Sequence, residues 1–155
     1  MLILPKIQMK SRKLPYCKTD SVKLLEVMAM DEARRKYPKH PEGVLAPRKF
    51  RDDSANGLTG CIVKYITLKG GFASRINNQG TFNTKLRNYI PGTSRKGLAD
   101  VMATFRGLSL HIEVKAGKDR QSKAQKLIES EVKSSGGLYY IVHDFTEFKQ
   151  WFDNI

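Results

Sequence analysis

A chain of 155 residues and 17.6 kDa fits one domain and is long enough to bury a core without metals or disulfides as structural supports. Its formal net charge of +13 and pI near 9.9 imply a polyanionic partner, since many phosphate contacts together release counterions. Cys17 and Cys61 lie far apart and match no metal-ligand spacing, the apolar start Met1-Leu2-Ile3-Leu4 is too short for a signal peptide, and no run of ~18 apolar residues occurs. A soluble, intracellular protein with reduced thiols is expected, with no membrane partner.

Residues 1–52 mix basic residues, prolines and one helical pattern (Leu24, Leu25, Val27, Met28) within Asp20 to Tyr37, and read as a partly ordered N-terminal extension. Pro38-Lys39-His40-Pro41-Glu42-Gly43 is turn chemistry and marks a boundary. Asp53 or Ser54 can cap a helix with Leu58, Cys61, Ile62, Tyr65 and Ile66 on one face, stopped by Gly70-Gly71. A short strand is expected at Phe72 to Ile76, then the turn Asn77-Asn78-Gln79-Gly80 and an irregular basic loop through Pro91 and Gly92 to Gly97. Strands follow at Leu98 to Phe105 and Leu108 to Ala116, then a helix from Ser122 to Lys133 burying Ala124, Leu127, Ile128 and Val132. Leu138 to Val142 is a strand, and Asp144-x-x-Glu147 can cap a last helix with Phe145, Phe148 and Trp151 or Phe152 inward. Residues 53–155 thus have the order α-β-β-β-α-β-α, an α/β sandwich around a mixed sheet. Tyr139, Tyr140, Phe145 and Trp151 sit at core spacings and read as packing.

Charge is unevenly distributed. From Ser54 to Ala99 no acid occurs, but Lys64, Lys69, Arg75, Lys85, Arg87, Arg95 and Lys96 do, whereas from Asp100 onward the signs balance. The acid-free stretch reads as a phosphate-facing surface, against the plainer alternative of a generally basic protein.

If Arg106-Gly107 forms a two-residue turn, opposed residues pair Ala103 with Leu110, Val101 with Ile112 and Ala99 with Val114 on one wholly apolar face. The other face then sets Thr104 against Ser109, Met102 against His111, and Asp100 against Glu113. Directly opposed carboxylates repel. They are also the only acids between Asp53 and Asp119, and Lys115 shares their face, so the trio suits a hard divalent cation that can activate water and stabilise charge on a phosphodiester. A lysine merely bridging two surface carboxylates is the bland alternative. His111 shares the face of Glu113, but a lone strand histidine is more often structural.

Gly97-Leu98-Ala99-Asp100, Ile112-Glu113-Val114-Lys115 and Ser122-x-x-Gln125 together resemble the PD-(D/E)XK nuclease superfamily and, within it, the VRR-NUC type of small bacterial and phage nucleases, over about Asn56 to Phe152. The resemblance implies a restriction-endonuclease-like core, with Mg²⁺ or Mn²⁺ held by Asp100, Glu113 and the backbone carbonyl of Val114, and Lys115 orienting or deprotonating the attacking water. It implies a role for Gln125 at the metal-bound water or the DNA, beside a capping box with Ser122. Arg75-Ile76-Asn77-Asn78 is similar to the family's Arg-Asn segment beside the active site, so Arg75 and Asn77 join Lys85, Arg87, Arg95 and Lys96 as expected DNA contacts. Two departures stand out: Ala99 replaces the motif's proline, and the first helix lacks the glutamate of many relatives, with Asn56 in the corresponding place.

The implied activity is that of a metal-dependent DNA endonuclease, with selectivity for branched or flapped DNA and homodimer assembly left open, in the cytoplasm of a bacterium or phage-infected cell. A non-cleaving DNA-binding protein is the alternative; an RNA-binding module lacks the aromatic-rich strands of base-stacking sheets.

Overall fold

The computed structural model describes residues 15–41, 43–76, 81–85, 87–90, 95–115, 117 and 119–155. In chain order these form helices α1 (Asp20–Lys36) and α2 (Ala55–Leu68), strands β1 (Phe72–Arg75), β2 (Thr81–Asn83), β3 (Asn88–Ile90), β4 (Val101–Phe105) and β5 (Leu108–Val114), helix α3 (Lys123–Ser134), strand β6 (Leu138–Val142) and helix α4 (Phe145–Phe152). The fold is mixed α/β. Its sheet runs β1-β4-β5-β6, with antiparallel pairing except between β5 and β6. A parallel pair needs a crossover, and α3 supplies it.

The helices divide between the two faces because strand side chains alternate. Val101, Ala103, Phe105, Leu110, Ile112 and Val114 point into the main core, where α1, α2 and α4 cover them. On the opposite face Ala99 and Tyr139 pack with Ile128 of α3 in a smaller cluster. Asp100, Glu113 and Lys115 belong to that second face, at its C-terminal end along β5.

α2 follows its sequence pattern throughout: Ser54 caps it by accepting the Gly57 N–H, and Leu58, Cys61, Ile62, Tyr65 and Ile66 are all buried. α4 does the same, with Asp144 as cap and Phe145, Phe148 and Phe152 fully inside. The β4–β5 hairpin has the expected register, Val101 opposite Ile112 through Phe105 opposite Leu108. Arg106 and Gly107 both take positive φ, 48° and 79°, the signature of a type I′ turn whose twist matches the strands.

Four expectations change. α1 packs into the main core with α2 and α4 rather than hanging off it, and its inward face is Val22, Leu25, Ala29 and Ala33, while Leu24 and Val27 are exposed. Leu25 and Met28 of the expected pattern do face the core, and small alanines rather than Leu24 and Val27 complete that face. Leu127 is exposed as well, so α3 buries Ile128 alone, with Ala124 and Val132 partly covered. The basic stretch expected to be irregular contains an antiparallel pair, β2 with β3. β4 begins at Val101, not at Leu98, so the ladder stops at Val101 opposite Ile112 without the expected Ala99–Val114 and Asp100–Glu113 pairs, and Ala99 packs with Ile128 and Tyr139 on the α3 side instead of with Val101 and Val114. Strand ends placed at Ala116 and turns placed at residues 77–80 and at Pro91-Gly92 fall outside the described residues. Among the described residues no helix is long and apolar enough to cross a membrane.

Candidate active site

At the end of the sheet away from the Arg106-Gly107 turn, β4 and β5 part. The Lys115 N–H bonds to the Val142 carbonyl of β6 at 2.9 Å, so the polar groups of the preceding residue, Val114, face β4. There the Val114 N–H finds the Asp100 side chain, donating to Oδ2 at 2.9 Å. A residue's N–H and C=O point to the same side of a strand, and the Val114 carbonyl is therefore aimed at the side on which Asp100 lies. On its other flank Asp100 is fixed through its own carbonyl, which accepts the Ile76 N–H at 2.8 Å beyond the end of β1.

Glu113 and Lys115 are both buried, at 2% and 5% exposure. Lys115 Nζ lies 3.0 Å from Glu113 Oε1 and also donates to Gln125 Oε1 at 3.1 Å and to Asp119 Oδ2 at 3.3 Å. Gln125 closes the ring by donating its Nε2 hydrogen to the same Glu113 Oε1. Its Oε1 also accepts the Ser122 N–H at 2.8 Å while Ser122 Oγ accepts the Gln125 N–H at 3.2 Å, so one side chain completes the capping box of α3 and reaches the carboxylate. Glu113 Oε2 is buried with no hydrogen-bond partner among the described residues.

What brings α3 this close is Gly97. Its φ is +87°, and a Cβ there would come within 2.5 Å of the Ala124 carbonyl carbon and 2.9 Å of the Gln125 nitrogen. Only a glycine lets the chain entering β4 touch the first turn of α3.

Burial holds the Glu113 carboxyl above the usual glutamate range; the Lys115 hydrogen bond pulls the other way, and nearby Asp100 adds to the upward push. For Lys115 burial works against the charged form, but its bonds to Glu113 and Asp119 outweigh that and hold the ammonium above the ordinary lysine value. The pair is thus an ammonium kept charged and a carboxylate that ionises less readily than usual. His111, two residues along β5, has its ring pKa lowered by burial and touches Ser109 at 3.4 Å, not the carboxylates.

Of the expected site residues, Glu113, Lys115 and Gln125 are in direct contact, with Asp100 joined through Val114. Asp119 was not foreseen; as an exposed loop acid its only sequence signal is its position four residues after Lys115. Arg75 donates to Asn56 Oδ1 at 2.6 Å, which unites the two polar residues expected at the first helix and first strand. Asn77 lies outside the described residues. Arg95 is held by Glu131 of α3 in a two-pronged ion pair with both contacts at 2.6 Å, so it is not an unengaged phosphate ligand. Arg87 and Lys96 are exposed, as is Lys85.

No cluster of three or more histidine, cysteine, aspartate or glutamate side chains able to hold a metal occurs among the described residues. A site at Asp100 and Glu113 would need the Val114 carbonyl, water and a substrate oxygen to complete its shell. Comparison with protein-family models, with curated proteins and with solved structures gives no match to this chain.

Proposed function

We propose that the chain is a divalent-metal-dependent nuclease that hydrolyses phosphodiester bonds in DNA, with Asp100, Glu113, Lys115 and Gln125 as its reactive centre. One observation supports this above the rest: Glu113 is buried, engaged on one oxygen by Lys115 and Gln125, and without a partner among the described residues on the other, beside the Asp100 carboxylate. A buried carboxylate oxygen left unpaired costs ~1–3 kcal/mol, more when charged, so a fold that keeps one has a use for it. The donor set, two carboxylate side chains and one strand carbonyl, fits Mg²⁺ or Mn²⁺, which favour oxygen and retain several waters. A bound ion of this kind lowers the pKa of water and neutralises charge on a phosphoryl oxygen.

The chain's own residues then have separable tasks. Asp100 and Glu113 give the local negative potential that a cation needs within a protein of net charge +13. Lys115, kept charged by Glu113 and Asp119, can hold a phosphate oxygen and take part in moving the nucleophile's proton. Gln125, tied to the start of α3, fixes the Glu113 carboxylate. Arg75 offers a guanidinium at the rim of the same sheet end.

The experiment is cleavage of supercoiled plasmid and of labelled linear, flapped and four-way DNA with Mg²⁺, Mn²⁺ or EDTA, for the parent and Glu113→Ala. Metal-dependent cleavage by the parent alone is expected. Binding without cleavage across all the DNA forms would leave the non-cutting DNA-binding protein as the correct reading.

A further inference from the structure

The acid-free stretch from Ser54 to Ala99 loses much of its free charge on folding. Lys64 is paired with Glu32, Lys69 with Asp153 at 3.2 Å, and Arg95 with Glu131. A denser basic segment lies upstream: Arg34, Arg35 and Lys36 in the last turn of α1, Lys39 in the turn after it, and Arg48, Lys49 and Arg51 on the way to α2, against the single acid Glu42. Every one of these cations is exposed. Arg34 and Arg51 pair with Asp31 and Asp53, but Arg35, Lys36, Lys39, Arg48 and Lys49 form no ion pair among the described residues.

The nearby acids are already engaged. Glu32 takes Lys64, and Glu26 takes Lys18 together with the Phe50 N–H at 2.8 Å. Folding also gathers the cations, because residues 43–50 run back beside α1. A concavity of about 270 Å³ is lined by Lys36 of α1, Arg48 of the returning segment and Lys64 of α2, with Tyr37 and Glu32 between them. The macrodipole of α1 accounts for basic residues in its last turn. It accounts for nothing at Lys39, Arg48 or Lys49, which lie outside the helix.

We infer that this surface, formed by the C-terminal end of α1 and residues 37–41 and 43–51, is the main phosphate-backbone contact for duplex DNA. Cations clustered within about one Debye length, ~8 Å at physiological salt, act together on a polyanion, whereas dispersed and paired ones do not. The segment also leads to the reactive end of the sheet. Arg51 packs its carbonyl so close to Gly57 that a Cβ there would overlap it, and Asn56 beside it holds Arg75. From Asn56 to Lys64 is ~12 Å along α2, the length of three to four base pairs at ~3.4 Å each. Location relative to the reactive centre rests on the nuclease reading; binding itself does not.

The test uses the full chain and a labelled duplex in EDTA, so that cleavage plays no part. Affinity is followed by fluorescence anisotropy across a salt series for the parent, for Lys39→Gln/Arg48→Gln/Lys49→Gln, and for Lys85→Gln/Arg87→Gln/Lys96→Gln. The upstream triple variant should flatten the slope of log K against log salt by ~2–3, at ~0.9 per lost phosphate contact, and weaken binding more than the central variant does. Protection of Lys36, Lys39 and Lys49 from acetylation by duplex bound to the parent is a second readout that needs no substitution. An unchanged slope with unprotected lysines overturns the assignment, as does tighter binding of the parent to phosphatidylserine vesicles that the upstream triple variant alone abolishes. If the parent binds duplex through this surface yet never cuts with Mg²⁺, the nuclease reading fails and the surface stands. If it cuts while the triple variant binds and cuts normally, the reverse holds.

Discussion

Replacing Lys115 by methionine removes an ammonium while nearly preserving side-chain volume, in a pair whose side chains are only 6% and 3% exposed. Solvent screens little at that burial, and removing one partner of a buried ion pair costs ~3–5 kcal/mol, because the other charge stays behind. In a domain of this length each kcal/mol is worth ~2–4 °C, so the melting temperature near neutral pH should fall by ~6–20 °C. Part of that loss can be relieved by protonating Glu113, whose carboxyl burial already holds above its ordinary 4.5. In the variant the folded state then keeps a proton that the unfolded chain has released. Stability therefore declines as pH rises from the ordinary glutamate value through the raised folded one, so the deficit against the parent should be smallest at acidic pH and grow toward alkaline pH. Melting curves of both proteins across that range, in EDTA and in millimolar Mg²⁺, read the effect directly. Mg²⁺ should restore part of the variant's stability by standing in for the lost positive charge, while cleavage stays absent. Equal melting temperatures at every pH, with no response to Mg²⁺, would refute the electrostatic account of this cluster.

Four further substitutions separate the roles of its neighbours. Asp100→Asn keeps an oxygen able to accept the Val114 N–H, so the fold should hold within ~1 kcal/mol while nicking of supercoiled DNA disappears and duplex affinity is unchanged or slightly tighter; parent-level nicking would remove Asp100 from the site. Ser122→Ala should cost ~1 kcal/mol through the lost cap with cleavage retained, whereas Gln125→Ala should lose a similar stability and, on the order of tenfold, cleavage as well; equal activity in the two would make Gln125 a cap alone. Gly97→Ala introduces both a strained φ of +87° and a clash with the first turn of α3, so a loss of ~1–3 kcal/mol and reduced cleavage are expected from melting and nicking assays.

Much of the fold could be read from periodicity. The α2 and α4 patterns place every large apolar residue on one face, and the β4–β5 register follows because any one-residue slip would turn Leu110 and Ile112 to the wrong side. Where the inward face is built of small residues periodicity carries little signal: Ala29 and Ala33 of α1 add little hydrophobic weight to a helix whose Val22 and Leu25 are fully buried with α2. The β2–β3 ribbon escaped notice for a related reason, since three-residue strands are too short to show alternation.

The site divides along the same line between what a strand pattern encodes and what only packing decides. Alternation put Glu113 and Lys115 on one face of β5, because side-chain direction in a strand depends on position, whereas Asp100 lies before β4 and joins the site through the Val114 N–H. That Glu113 and Lys115 are almost wholly buried could not be inferred, since it depends on Gly97 admitting α3 to contact distance and on Gln125 reaching down from its cap. The charge of the acid-free stretch was only partly legible for a complementary reason. An acid-free stretch of sequence describes neighbours along the chain, whereas a polyanion meets neighbours in space, and Glu32, Glu131 and Asp153 all come from outside the stretch they neutralise. The same argument gives residues 34–51 their weight: their cations remain exposed after folding because the acids beside them, Glu26 and Glu32, already have partners.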